Sequence, residues 1–358
     1  MATRRSFIAG VLATGLAPRP TWADVGNPAY LSAGMKPDGS HVLCGLTATG
    51  GISFERPLPA RGHAAAAHPT RPDAVAFARR PGTYAIVVDC TNGRQKARLD
   101  ARSGRHFYGH GTFSADGDLL FTTENDFENA KGVVGVWDVK SGYQRVGEFF
   151  SGGIGPHDIK MMPDGQTLVV ANGGIETHPE SGRTKLNIPT MRPNLSYLSL
   201  DGTVLEQVEL DKGLRRNSIR HLAVAKDGSV AFAMQWQGDL NDHPPVFGVH
   251  RRGHKPQLSV APPDANRKML GYAGSIAVCE GEGTVAVTSP RGGVLQVFDL
   301  KGRTLRGQVE LEDVCGIAPR AKGFFATNGL GAVLVEAYRG RSGAAWHDIR
   351  WDNHLVGL

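Results

Sequence analysis

A tight turn of the Asp-Gly kind recurs along this chain at roughly even intervals, each copy set between two short apolar runs, and nothing else in the sequence restricts the fold as much. The clearest copies are Pro37-Asp38-Gly39, Ala115-Asp116-Gly117, Pro163-Asp164-Gly165 and Lys226-Asp227-Gly228, with degenerate ones at Pro72-Asp73, Glu282-Gly283 and Lys322-Gly323. A unit of roughly 40–50 residues with several short strands cannot bury its faces alone, but copies stacked round a ring can. The seven copies therefore predict an all-β, seven-bladed β-propeller of the WD40/YVTN kind, closed as one domain over residues 24–358. Glycine is abundant, with 47 residues, and aromatics are sparse at 7%, as many tight turns between short Val-, Ala- and Leu-rich strands require. The blades are expected at 28–60, 61–101, 104–151, 152–213, 214–263, 266–311 and 312–350, each opening on an inner strand that ends at its turn.

The amino terminus reads Thr3-Arg4-Arg5-Ser6-Phe7-Ile8-Ala9, followed by an apolar run over 10–17 and the small-x-small site Thr21-Trp22-Ala23. This order predicts a twin-arginine export signal over residues 1–23, cleaved after Ala23, and a periplasmic mature protein. The apolar run is shorter than the roughly 20 residues a bilayer span needs, so no transmembrane anchor is expected after cleavage. Loss of Arg4, Arg5 and Arg19, with no acid, takes the formal charge from +6 to +3. The remaining basic residues are scattered, without the basic-aromatic face that a phosphate backbone demands, which excludes nucleic acid as an expected partner. Cys44, Cys90, Cys279 and Cys315 never form Cys-x-x-Cys, which excludes thiolate zinc ribbons and haem attachment. An oxidising compartment permits disulfides, but the spacing leaves their pairing open.

Antiparallel pairing adds direction. The start of the first strand and the end of the second lie at the same end of a blade, and polar residues gather at both points. First-strand starts carry His63, His110, His157 with Asp158, Arg220 with His221, Ser275 and Cys315; second-strand ends carry Glu124 with Asn125, Asn172, Gln235 with Trp236, Ser289 and Asn328. These groups are expected to ring the mouth of the central channel. Three insertions, 124–132, 172–194 and 237–245, open from that same end, where a rigid scaffold usually presents its binding groups. The longest holds Glu176, His178, Arg183, Lys185 and Met191 and is expected to act as a lid or pocket wall.

Imidazole and carboxylate groups converging there suit a divalent transition metal, with His157, His221 and Glu124 as ligands and His63, His110 or His178 as further members. Around them Glu124, Asn172, His178, Arg220, Gln235 and Asn328 are candidate contacts for a small polar ligand. Neighbouring residues on a strand face opposite sides, so only one of Arg220 and His221 is expected to address the channel. Two alternatives stand beside this. One is a metal-dependent lactonase or esterase, in which Glu124, Asn172 and Asn328 occupy the positions such propellers use; the other is a non-catalytic scaffold for envelope proteins. No Gly-x-Ser-x-Gly elbow supports nucleophilic catalysis, and Cys315 is expected to line the channel.

The segments YGHGTFSADGDLLFTTENDF, GGIGPHDIKMMPDGQTLVVANGGIETHP, KLNIPTMRPNLSYL, SIRHLAVAKDG and the closing WDNHL together resemble an uncharacterised family of twin-arginine-exported bacterial proteins. The resemblance implies a periplasmic seven-bladed propeller of the YVTN or quinoprotein-like kind with no established activity and no agreed catalytic residues. It also implies encoding beside imelysin-like proteins and haem-containing oxidoreductases, and hence a binding role accessory to iron acquisition in preference to a lactonase.

Overall fold

In this computed structural model, which describes residues 20–79, 82–336, 338 and 343–358, the short apolar runs pair into seven four-stranded antiparallel sheets. They form the blades of a β-propeller. Second strands such as Asp73–Ala78 and Thr284–Ser289 are buried along their whole length, because a blade packs on each of their faces. Outer strands such as Gln95–Asp100 and Val204–Glu209 mix charged with apolar residues and are largely exposed. The core thus lies between blades: Ala66, Val75 and Phe77 of one pack on Phe107, Leu120 and Trp137 of the next.

The innermost strands are Gly62–Ala67, Arg105–Phe113, Pro156–Met161, Asn217–Val224, Ser275–Cys279, Val314–Pro319 and Arg350–Gly357, each touching the next around the channel. The last corrects the expected blade register. The first blade does not open on its own inner strand at residue 28; Tyr30–Met35 is its second strand, hydrogen-bonded to the carboxy-terminal Arg350–Gly357. Sharing one sheet between both ends of the chain closes the ring with a hydrogen-bonded ladder, reinforced by Tyr30, Val42 and Leu46 packing with Phe325, Val333, Trp351 and Leu355. In consequence Pro37-Asp38-Gly39 joins second to third strand. It borders Leu330 and Ile349 at the mouth end, opposite the end that holds the other Asp-Gly turns.

The expected insertion at 124–132 is no loop. Leu119–Asp126 and Lys131–Asp138 pair through Asp126 and Lys131, and the Asp126 carboxylate accepts from the Asn129 backbone N–H and side-chain amide to close the turn. Among the described residues no helix is long and apolar enough to cross a membrane. The export signal expected over 1–23 falls, for residues 1–19, outside the described residues.

Candidate metal centre

An inner strand with a regular ladder turns alternate side chains into the neighbouring blades. Here the ladder slips on six of them, Val314–Pro319 between Val314 and Ile317 among them, and the other five slips lie at the histidines. His63 lies in the slip between Gly62 and Ala65, His110 between Phe107 and Gly111, His157 between Pro156 and Asp158, and Arg220 between Ile219 and His221. On the closing strand Asp352–His354 fall between Trp351 and Leu355, which pair with Gly34 and Ser32. A bulge re-aims the side chains it carries, and these bulges send five imidazoles inward.

The rings of His63, His110, His157, His221 and His354 meet in one cluster. Centroid separations run from 4.7 Å for His157–His221 and His221–His354, through 4.8 Å for His63–His354 and His110–His354, to 6.0 Å for His63–His157. Gly109, at φ +98°, makes room for the packing: a Cβ there would stand 2.4 Å from Cδ2 of His63. Two overlapping triads have ligand atoms within 4.8 Å of one another, His63–His110–His354 and His110–His157–His221. Two metal–nitrogen bonds of about 2.1 Å allow nitrogens up to about 4.2 Å apart, so little closure separates either triad from a coordinating geometry.

His110 is common to both triads and is the best oriented. Its Nδ1 lies 3.3 Å from Oδ1 of Asp158, and this acceptor keeps the proton on Nδ1 and leaves Nε2 for the channel. Asp158 is itself fixed, accepting from the Ile159 N–H at 2.8 Å and, across the blade boundary, from the Leu222 N–H at 3.0 Å. Burial pushes its carboxyl up, but Lys160 and His110 outweigh that and hold it below the usual carboxylate range. Nε2 of His110 and of His354, and Nδ1 of His63 and of His157, are buried without a hydrogen-bond partner. Burial, then repulsion from a neighbouring histidine, pushes His63, His157, His221 and His354 well below the ordinary imidazole value. The rings are therefore neutral at pH 7, the form that binds metals.

A cavity of about 170 Å³ opens above His63 and His157, walled by Tyr108, Thr177, Arg79, Arg183, Lys185 and Arg220. Among the described residues no acidic side chain lines it. The 172–194 loop that brings Arg183 and Lys185 is internally braced: Asn187 donates to the Gly174 carbonyl at 2.9 Å and accepts from the Glu176 N–H at 2.8 Å, and Met191 is fully buried. Lys185 also bonds Gln237, which ties this loop to the 237–245 segment. Arg220 and His221 both address the channel side, correcting the expectation that only one does; the bulge at Arg220 breaks the strict alternation.

The residues proposed from second-strand ends lie elsewhere. Glu124 is fully buried, its two oxygens taking Arg145 Nη1 at 2.7 Å and Nη2 at 3.1 Å, and Arg145 sits on the outermost strand. Glu124 therefore points along its blade, not at His157 and His221. Asn172 bonds Ser151, Asn194 and Ser196; Gln235 donates to the Ala273 carbonyl; Asn328 braces its own turn through Glu312, Leu330 and Ala332. The common cause is that an inner strand stands between a second strand and the axis. His178 caps the Pro179–Ser181 turn and packs edge-on against Phe127 at 5.0 Å, away from the triads. Cys315 is buried, its thiol donating toward the Asp352 carbonyl, and it stands at a separate cavity with Arg61 and Asp313. All four cysteines are free and buried. Sequence reasoning missed His354, Arg79 and Tyr108, although WDNHL and YGH were already conspicuous as segments.

The model of a family described as "Protein of unknown function (DUF1513)" matches residues 56–358. Among solved structures, a chain titled Kuenenia stuttgartiensis Hydrazine Synthase is similar with a TM-score of 0.61 and 14% identity, covering 93% of this chain and 98% of that one. At that identity the likeness carries the fold alone. No curated protein matches.

Proposed function

The chain belongs to the DUF1513 family of proteins of unknown function, and from its own channel we propose that it binds a single late first-row transition-metal ion through the bulge-borne histidines. The observation that carries this is the convergence of five inner-strand imidazoles, four of which keep a buried nitrogen with no hydrogen-bond partner among the described residues. Unmet buried polar atoms cost about 1–3 kcal/mol each, so a cation bound by either triad, which relieves His110 and at least one more of them, is a stabilising gain. A nitrogen-only set fits zinc, copper, nickel, cobalt or ferrous iron and fits calcium or magnesium poorly. One ion is expected, not two, because Asp158 occupies Nδ1 of His110 and leaves one nitrogen for both triads. The twin-arginine pattern at residues 3–9 supports a periplasmic location, and folding before export would allow the metal to be loaded beforehand. An accessory role in iron handling is compatible with this donor set.

Binding is favoured over hydrolysis, because Glu124, Asn172 and Asn328 are bonded within their own blades and no carboxylate lines the cavity among the described residues. The test is metal analysis of protein from its native compartment, followed by metal competition on variants. His110→Ala is expected to abolish tight binding because it removes a ligand from both triads. His63→Ala and His157→Ala each leave one triad intact and are expected only to weaken it. Wild-type affinity in His110→Ala refutes the metal centre.

A further inference from the structure

The mouth above the histidines has a chemistry of its own. Arg79, Arg183, Lys185 and Arg220 face one small cavity, and the same cavity is floored by His63 and His157, which belong to the two triads. Four cationic side chains from three segments, with no carboxylate in the cavity lining among the described residues, repel one another. Two of them register the strain: burial, then repulsion from Arg61, lowers Arg79, and burial, then repulsion from Arg220, lowers Lys185. Asp352 lies 3.7 Å from Arg79 but outside the cavity lining, and it forks with Arg61 at the same time. The chain holds this arrangement with a braced loop and the Lys185–Gln237 tie, so the cost of bringing the charges together is met within the fold.

We propose that this basic mouth is a subsite for a small oxyanion, a carboxylate or phosphate compound with at least two negative charges, which reaches past the arginines to become an exogenous ligand of the channel metal. This rests on the metal centre proposed above. Three features point to it together. The guanidinium forks match carboxylate and phosphate oxygens in pairs. The cavity admits a small molecule and no chain. A three-histidine set leaves a position open, and the open side is the one the cavity covers, because His63 and His157 form its floor. The metal and the anion then bind with positive coupling, since each supplies charge the other lacks, and the coupling is reciprocal.

The experiment uses the full chain loaded with cobalt(II), whose visible bands report its ligands. Malonate and inorganic phosphate are titrated separately at constant ionic strength, and protein-bound cobalt is measured after gel filtration to separate binding from stripping. The expected result is a saturable change in the bands with cobalt retained, in one or both arms; a malonate response alone assigns the carboxylate source and a phosphate response alone the phosphate source. The Arg183→Ala/Lys185→Ala variant changes only exposed loop side chains and is expected to lose about tenfold or more in anion affinity with cobalt affinity unchanged. If cobalt is not retained at all, the metal centre itself fails. If cobalt is held but its bands ignore both anions to millimolar concentrations, or the double variant responds as wild type, the oxyanion subsite fails and the metal centre stands.

Discussion

Four neutral imidazoles of the channel make the metal-free protein acid-sensitive near pH 6, where His68 and His250, also lowered by burial, add to the effect in the same direction. His63, His157, His221 and His354 are held well below the ordinary value of 6.5 in the folded chain and return to it on unfolding. The unfolded state therefore binds more protons below pH 6.5, and stability must fall as pH falls; above about pH 7.5 the effect is absent. Each histidine contributes about 1.4 kcal/mol per pH unit once the unfolded chain is protonated and the folded one is not. From pH 7.5 to 5.5 the four together remove about 5 kcal/mol, a large share of the roughly 5–15 kcal/mol typical of a domain. Ordinary carboxylates titrate lower and do not obscure this window. Urea unfolding of chelator-treated protein at pH 7.5, 6.5 and 5.5 measures the loss, and His221→Gln should flatten the slope by about one proton. Stability that stays constant across this range, or a slope that His221→Gln leaves unchanged, means the folded channel accepts protons and its rings are not neutral donors.

Gly109→Ala is expected to lower both thermal stability and zinc affinity, because the new Cβ meets the His63 ring at 2.4 Å at a φ of +98°; the backbone strain alone is worth about 1–3 kcal/mol, and calorimetry with zinc competition checks both effects. Arg145→Ala leaves the Glu124 carboxylate buried with its bidentate partner gone and is expected to cost about 3 kcal/mol in denaturant unfolding, while metal stoichiometry stays that of wild type. Burial pushes the Cys44, Cys90 and Cys315 thiols up to about 12; a thiol reagent at pH 8 should label them only after denaturation, and rapid labelling of the native protein would contradict their burial.

Repeat spacing was enough to read seven blades, since each Asp-Gly turn is a local event and its chemistry is visible in three residues. Ring closure is not local. Pro37-Asp38-Gly39 looks like every other copy, yet it joins different strands from the rest because Arg350–Gly357 pairs with Tyr30–Met35 from the far end of the chain. The same displacement hid His354. It lies in the segment that follows the last full blade, where a reading that starts each blade at its own inner strand has no position left to assign.

The site was half legible for a deeper reason. Period-two logic assumes a regular ladder, and under it His157 and Asp158, or Arg220 and His221, must take opposite faces. The inner strands break the ladder where the histidines sit, so Arg220 reaches the mouth while His221 reaches the triad, and His157 reaches the cluster while Asp158 bridges to His110 and to the Leu222 N–H. The second strands keep regular pairing with the third strands at Glu124 and Asn172, the extra residues of each slip lying on the inner strand, and there the polar side chains stay inside their blades, however well their position along the chain aligns with the mouth. Position along a strand predicts which end of a propeller a residue occupies; whether it reaches the axis depends on strand rank and on a bulge. Gly109, at φ +98° beside His110, is a residue whose identity betrays such a bulge in advance, and it is also the residue whose missing Cβ lets His63 and His110 approach.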